Sequence, residues 1–268
     1  MNLYEKIIAA KKPFLIAGPC VIEAPEIMQE IVETLQRATA QRDMLFIFKA
    51  SYQKANRTSA SSPSGPGLQK GLQILKQIKA KYQVPIITDI HECCEAQPVA
   101  EVADIIQIPS FLSRQTALIQ AAAATGKIVN IKKGQFMAPE DIAAAAEKSA
   151  ISGNEKILLT ERGSSFGYHN LVVDFRGFAI MQQSGYPVVY DVTHSLQQPS
   201  QGKTSGGTPQ YVPLMARAAA ATGAVKGFFI ETHPQPALGL SDAKTMFELQ
   251  KIPQLLDELI EIFHLVKK

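Results

Sequence analysis

Only three cysteines occur in this 268-residue chain. Two of them, Cys93 and Cys94, are adjacent, so the set makes no disulfide framework. Cys20 is left free to act as a ligand or a nucleophile, and a reducing, cytoplasmic setting is expected. Charge of one sign is also scarce: 27 Lys and Arg against 24 Asp and Glu leave a net +3. That excess is too small to point to nucleic acid, and it suits a small anionic substrate. No apolar run approaches the ~20 residues of a membrane-spanning helix. The opening Met1-Asn2-Leu3-Tyr4-Glu5-Lys6 lacks the basic region and apolar core of a signal peptide. No linker and no break in composition divides the sequence, so one domain over 1–268 is expected. With 46% hydrophobic and 19% charged residues, the composition is that of an ordinary soluble enzyme.

What the chain does have is eight short runs rich in β-branched and aromatic residues, each ending in groups able to do chemistry. Phe14–Ala17 leads to Cys20, and Leu45–Phe48 to Lys49. Pro85–Thr88 leads to Asp89 and His91, and Ile105–Ile108 to Pro109-Ser110. Ile128–Ile131 leads to Lys132-Lys133, and Ile157–Thr160 to Glu161-Arg162. Val188–Asp191 leads to His194, and Gly227–Ile230 to Glu231 and His233. Near-continuous apolar runs of this length read as parallel strands buried on both faces. Stretches long enough for a helix lie between most of them. Eight strand-then-helix units predict a (β/α)₈ barrel, whose active site is built from the C-terminal strand ends.

Helices are expected at about Leu68–Tyr82, Pro98–Ala103, Ala138–Lys148, Pro213–Thr222 and Pro253–Lys268. The segments Ala55–Gly67 and Gln197–Gly207 are loop-like and rich in Gly, Pro and Ser, and both follow strands on the expected active face.

Three constellations follow from that placement. Lys49, Lys54, Asn56, Arg57, Lys132, Lys133 and Arg162 come from three strand ends. A barrel would converge them on one mouth, where clustered Lys and Arg mean phosphate or carboxylate. Any one of these lysines could equally be a solvated surface charge. Cys20, His194, Glu231 and Asp242 come from strands one, seven and eight, which become neighbours on closure. Their donor set suits Zn²⁺, Fe²⁺ or Mn²⁺. A lone Cys is more often buried packing, and only the agreement in position of four groups raises the metal reading. Asp89 and His91, two apart along a strand, share one side and could move protons, although Asp89 could instead cap the next helix. Cys93 and Cys94 have no partner at ligand spacing and are expected to be buried small apolar residues.

The motifs Leu15-Ile16-Ala17-Gly18-Pro19-Cys20, Lys54-Ala55-Asn56-Arg57-Thr58-Ser59 and Thr88-Asp89-Ile90-His91-Glu92 occur in that order. Ile106-Gln107-Ile108-Pro109-Ser110-Phe111-Leu112, Asn130-Ile131-Lys132-Lys133-Gly134 and Thr160-Glu161-Arg162-Gly163 follow them. Asp191-Val192-Thr193-His194 and Glu231-Thr232-His233-Pro234 with Leu240-Ser241-Asp242 complete the series. Together, from about residue 13 to 260, they resemble the 3-deoxy-D-manno-octulosonate 8-phosphate synthases.

The resemblance implies a transferase that condenses phosphoenolpyruvate with D-arabinose 5-phosphate and water, giving the eight-carbon sugar acid phosphate of lipopolysaccharide and inorganic phosphate. It implies that Lys132 and Arg162 hold phosphoenolpyruvate, with Lys49 and Gln107 nearby. Lys54, Asn56, Arg57 and Thr58 would hold the sugar phosphate. Asp89, His91, Lys132 and His194 would serve the chemistry. Cys stands at position 20, as in the metal-requiring branch, where the metal-free branch has Asn. Cys20, His194, Glu231 and Asp242 are then the expected ligands. Ser64 precedes Gly65-Pro66-Gly67 where relatives usually carry Arg. A homo-oligomer, tetrameric by resemblance, is expected, with no nucleic-acid or membrane partner. Two alternatives stand beside this one. The first is the sister synthase that uses erythrose 4-phosphate, whose loop reads Lys-Pro-Arg-Thr; the second is a barrel that binds sugar phosphates without turnover.

Overall fold

The structure is a computed structural model that describes residues 1–55, 64–167, 170–199 and 206–266. Strands β1 (Phe14–Gly18), β2 (Phe46–Lys49), β3 (Ile86–Asp89) and β4 (Ile105–Ile108) open the barrel. They are followed by β5 (Ile128–Lys132), β6 (Ile157–Glu161) and β7 (Val188–Asp191). A minor antiparallel pair, β8 (Gln197–Gln198) and β9 (Gly206–Gly207), precedes the eighth barrel strand, β10 (Gly227–His233). The barrel strands are all parallel and run in chain order. Pairing of β1 with β10, from Phe14 opposite Gly227 to Gly18 opposite Glu231, closes the barrel. This is the (β/α)₈ architecture expected from the eight runs.

The outer wall carries α2 (Pro25–Ala40), α3 (Leu68–Tyr82), α4 (Ala96–Ala100), α5 (Thr116–Ala124) and α6 (Ile142–Ile151). It continues through α7 (Arg176–Gln182), α9 (Val212–Ala221) and α10 (Ile252–Val266), while α8 (Val192–Ser195) is one turn at the top of β7. The expected span of α3 matches the observed one. Two others are shifted by more than one residue at their start. Pro98 sits in the first turn of α4, where a missing N–H costs nothing, so that helix begins at Ala96. Ala138-Pro139-Glu140-Asp141 forms a turn in which Asp141 accepts the Ala138 N–H at 3.3 Å, and α6 starts after it. The segment Gln197–Gly207 is not all loop, since its ends form the β8–β9 pair.

A helix that the sequence reading did not anticipate, α1 (Leu3–Ala9), lies ahead of the barrel. Asn2 caps it reciprocally with Glu5. Its Ile7, with Leu3 and Tyr4 beside it, packs on the inner residues Phe14, Ile16, Ile47, Ile87, Ile105, Ile128, Leu158, Val189 and Phe229. The barrel floor is therefore apolar and closed. Their chain neighbours Leu15, Phe48, Ile106, Val129, Leu159, Tyr190 and Ile230 face the helices in the larger core. Side-chain direction alternates with period two along a strand. Two residues above the floor positions of β2, β3, β4, β7 and β10, the same inner face turns polar: Ile47 is followed by Lys49, Ile87 by Asp89, Ile105 by Gln107, Val189 by Asp191 and Phe229 by Glu231. Ile128 leads to Asn130 and Lys132, and Leu158 to Thr160 and Arg162. Binary patterning thus divides the interior into a dry floor and a polar mouth.

Candidate active site

The first strand leaves the barrel by a narrow path. A Cβ at Gly18 would lie 1.9 Å from the Lys49 carbonyl oxygen, so only glycine allows β1 to pass β2 so closely. Two residues on, Cys20 is buried, with its Sγ 3.0 Å from both Asp242 Oδ2 and Ser241 Oγ. One ligand atom each from Cys20, Glu231 and Asp242 lies within 4.8 Å of the others. His194 reaches the same place from α8, its Nε2 3.5 Å from Glu231 Oε2 and 3.9 Å from Asp242 Oδ2. Asp242 has a left-handed φ of +46°, which turns the chain beyond β10 back over the mouth.

These residues suit a divalent cation. Burial, with the charges of Asp242 and Glu231 next, pushes the Cys20 thiol well above its ordinary range. Glu231 Oε2 is buried with no hydrogen-bond partner among the described residues. A cation there would satisfy the carboxylate and favour the thiolate.

The cations converge beside this set. Lys49 forms a buried ion pair with Glu231 and donates to the Cys20 carbonyl at 3.0 Å. Lys54 Nζ stands 3.9 Å from Glu231 Oε1. Lys132 pairs with Asp191 and has its Nζ 4.2 Å from the centroid of the Phe229 ring, the last apolar residue of the floor. Burial lowers the Lys132 pKa despite Asp191. Arg162 donates from Nη2 to Gln197 Oε1 at 2.7 Å, whereas its Nη1 is buried without a hydrogen-bond partner among the described residues. Burial would raise Glu231 and Asp191, but the cations around them hold both carboxyls well below the usual range.

Gln107 lies beside the cations in a cross-strand chain. Asn130 donates to Gln107 Oε1 at 3.2 Å, and Thr160 donates to Asn130 Oδ1 at 2.6 Å. Asp89 and His91 do share a side: His91 Nε2 is 3.2 Å from Asp89 Oδ2, and Ser51 donates to Asp89 Oδ1. Burial opposes both charges, but their mutual hydrogen bond and the opposite charges around them together outweigh it: Asp89 and Glu95 raise His91, and His91, Lys54 and Lys49 depress Asp89. Asn56, Arg57 and Thr58 lie outside the described residues.

Two expectations are corrected. Lys133 does not join the mouth. Alternation turns it outward, and its Nζ donates to Ser164 Oγ at 2.9 Å and the Met137 carbonyl at 3.0 Å, with Glu161 Oε1 3.6 Å away. Cys93 and Cys94 are exposed rather than buried: they fall on a 3₁₀ turn above β3, Cys93–Glu95, none of whose residues is buried.

One feature was missed. Asp191 ties Lys132 to His194, and the cap-like Asp191-Val192-Thr193-His194 spacing was its signal. His233, which the eighth run carries beyond Glu231, is buried; its Nδ1 accepts the Gln235 N–H at 3.0 Å, and its Nε2 has no hydrogen-bond partner among the described residues.

Fold and mouth together define a (β/α)₈-barrel enzyme with buried cations gathered beside a thiol, an imidazole and two carboxylates at the C-terminal strand ends. The chain belongs to the DAHP synthetase I family, whose model matches residues 5–268. It is 50% identical over 255 residues to a protein of Acidithiobacillus ferrooxidans named 2-dehydro-3-deoxyphosphooctonate aldolase, covering 95% of this chain and 90% of that one. A protein of the same name from Nitratidesulfovibrio vulgaris is 50% identical over 257 residues, 96% of this chain and 94% of its own length. Another, from Xanthomonas campestris pv. campestris, is 48% identical over 270 residues, 100% of this chain and 98% of its own. No helix among the described residues is long and apolar enough to cross a membrane.

Proposed function

We propose that this protein condenses phosphoenolpyruvate with D-arabinose 5-phosphate and water, releasing inorganic phosphate and the 2-dehydro-3-deoxyoctonate phosphate after which its relatives are named. The observation that carries the reading is the mouth itself: Lys49, Lys132 and the free Nη1 of Arg162 converge beside Cys20, His194, Glu231 and Asp242 on one inner face. Lys132 and Arg162 hold the phosphate and carboxylate of phosphoenolpyruvate, with Lys49 and Gln107 beside them. Burial makes those cations strong anion partners, since water competes poorly for them. Lys54, Asn56, Arg57 and Thr58 hold the sugar phosphate.

The methylene carbon of the enol phosphate attacks the aldehyde, and a carbon–carbon bond forms. Positive character develops at the next carbon, where water adds, and the adduct expels phosphate by C–O cleavage. Lys132 and Arg162 stabilise the charge that gathers on the leaving phosphate. Asp89 and His91 carry the proton between the alkoxide and the attacking water. A divalent ion, Fe²⁺, Zn²⁺ or Mn²⁺, held by Cys20, His194, Glu231 and Asp242, supplies Lewis-acid polarisation when bound. A homo-oligomer, tetrameric by the family resemblance, belongs to the same reading.

The test is phosphate release from phosphoenolpyruvate with arabinose 5-phosphate or erythrose 4-phosphate as acceptor. Preference for the five-carbon sugar is expected. Preference for the four-carbon sugar would move the chain to the sister activity, and binding without release would make it a binding module.

A further inference from the structure

Arg162 lies one residue past the end of β6, where no strand pairing holds it, yet its side chain is 97% buried in effect: only 3% of the residue is exposed. Something outside the barrel has to fix that strand end. The neighbouring Glu161 faces outward, and its Oε1 accepts the backbone N–H of Arg162 at 3.0 Å and that of Gly163 at 2.6 Å. Gly163, at φ +91°, makes the turn that lets one carboxylate oxygen receive both donors. Lys133 lies 3.6 Å from the same oxygen and is itself anchored to the Gly134 and Met137 carbonyls and to Ser164. Beside it, Ser165 donates to the Gln135 carbonyl at 2.9 Å. The loops after β5 and β6 are thus stapled together behind the wall that carries Lys132 and Arg162.

We infer that Glu161, held by Lys133, is a positioning residue that aims Arg162 at the anionic substrate. The inference rests on the substrate role proposed for Arg162. Glu161 touches no substrate; it fixes the main chain from which the guanidinium projects. A buried Lys–Glu pair on the helix side of a barrel is weak evidence for stability, because desolvation offsets most of the attraction. Its two backbone acceptor bonds at the root of a site residue give it a directional task.

The test is a double-mutant cycle read by calorimetric binding of phosphoenolpyruvate and, in parallel, inorganic phosphate, with thermal melts of each variant. Glu161→Ala is expected to weaken phosphoenolpyruvate at least tenfold. Glu161→Gln keeps an oxygen able to accept both N–H groups and should stay within about threefold of wild type. In an Arg162→Ala background, Glu161→Ala should change binding less than twofold. The same loss in both backgrounds would overturn the inference, as would a lower melting temperature with unchanged binding, or Glu161→Gln behaving no better than Glu161→Ala. Should Glu161→Ala not fold, Lys133→Met leaves the carboxylate in place; it should weaken binding at least threefold in the wild type and not in Arg162→Ala. Wild-type protein that binds phosphate but not phosphoenolpyruvate would count against the proposed substrate, and the phosphate series would then decide the role of Glu161.

Discussion

Asp191 engages His194 twice: its Oδ1 accepts the His194 backbone N–H at 3.0 Å, and its Oδ2 lies 2.8 Å from His194 Nδ1. The first contact caps the single turn of α8, and the second fixes the ring so that Nε2 faces Glu231 and Asp242. Lys132 pairs with the same carboxylate, so one buried acid orients a residue of each half of the mouth.

A carboxylate behind a metal-binding imidazole fixes its tautomer and strengthens its basicity, and losing one typically costs 10–100-fold in metal affinity. Asp191→Asn is therefore expected to weaken metal binding by about that factor. Competition against a chromogenic chelator measures it. An unchanged affinity would mean that His194 is oriented without Asp191, or is not a ligand.

Metal dependence is expected directly. Chelator should abolish turnover, and added divalent ion should restore it. Cys20→Asn should lower metal content sharply while the fold survives, because Ser241 and Asp242 can hydrogen-bond an amide where they now meet the thiol. Elemental analysis alongside circular dichroism separates the two effects. Full metal stoichiometry in the mutant would remove Cys20 from the ligand set.

The Asp89–His91 pair predicts a pH window for stability. His91 has a raised pKa in the folded state, so its contribution is complete below its ordinary value and is lost as pH rises through the folded one. Asp89 is depressed, so its contribution is complete above its ordinary value and is lost as pH falls through the folded one. With ordinary values of about 3.9 and 6.5, the pair contributes most between roughly pH 4 and 6.5. The melting temperature of His91→Gln relative to wild type should fall furthest short in that window and recover on both sides. A difference that does not vary with pH would show that the two groups are not an ion pair in solution.

The barrel was legible because its strands are buried on both faces, which writes each as an unbroken apolar run, and because β7, β10 and β1 must become neighbours on closure. What the runs could not show was direction within a dipeptide. Lys132 and Lys133 look alike in sequence, yet one residue of strand register sends the first into the mouth and the second behind the wall. Cys93 and Cys94 misled for a related reason: a small apolar side chain is buried only where it points into the core, and on the 3₁₀ turn above β3 both are exposed. Helix α1 is short, and its three floor contacts give too brief a period to stand out. Asp191 ended a strand run in plain view, but its double task depends on two partners that only the closed barrel brings together.

Separate recognition of the two phosphates gives the last prediction. Lys132 and Arg162 stand on β5 and just beyond β6, whereas Lys54 stands just beyond β2, with its Nζ 3.9 Å from Glu231. Arg57 follows Lys54 by three residues in the segment that carries Ala55-Asn56, the feature separating this chain from the erythrose-using loop. A guanidinium on a sugar phosphate forms charge-assisted hydrogen bonds, each contributing on the order of 1.5–3 kcal/mol. Arg57→Ala should accordingly raise the KM for arabinose 5-phosphate by roughly tenfold or more, with a much smaller change for phosphoenolpyruvate. Arg162→Ala should do the opposite, because its unpartnered Nη1 sits on the other wall of the mouth. Steady-state kinetics with each substrate varied in turn reads both. If Arg57→Ala weakened phosphoenolpyruvate and spared the sugar, the two phosphate sites would have to be exchanged, and the acceptor would lie against β5 and β6.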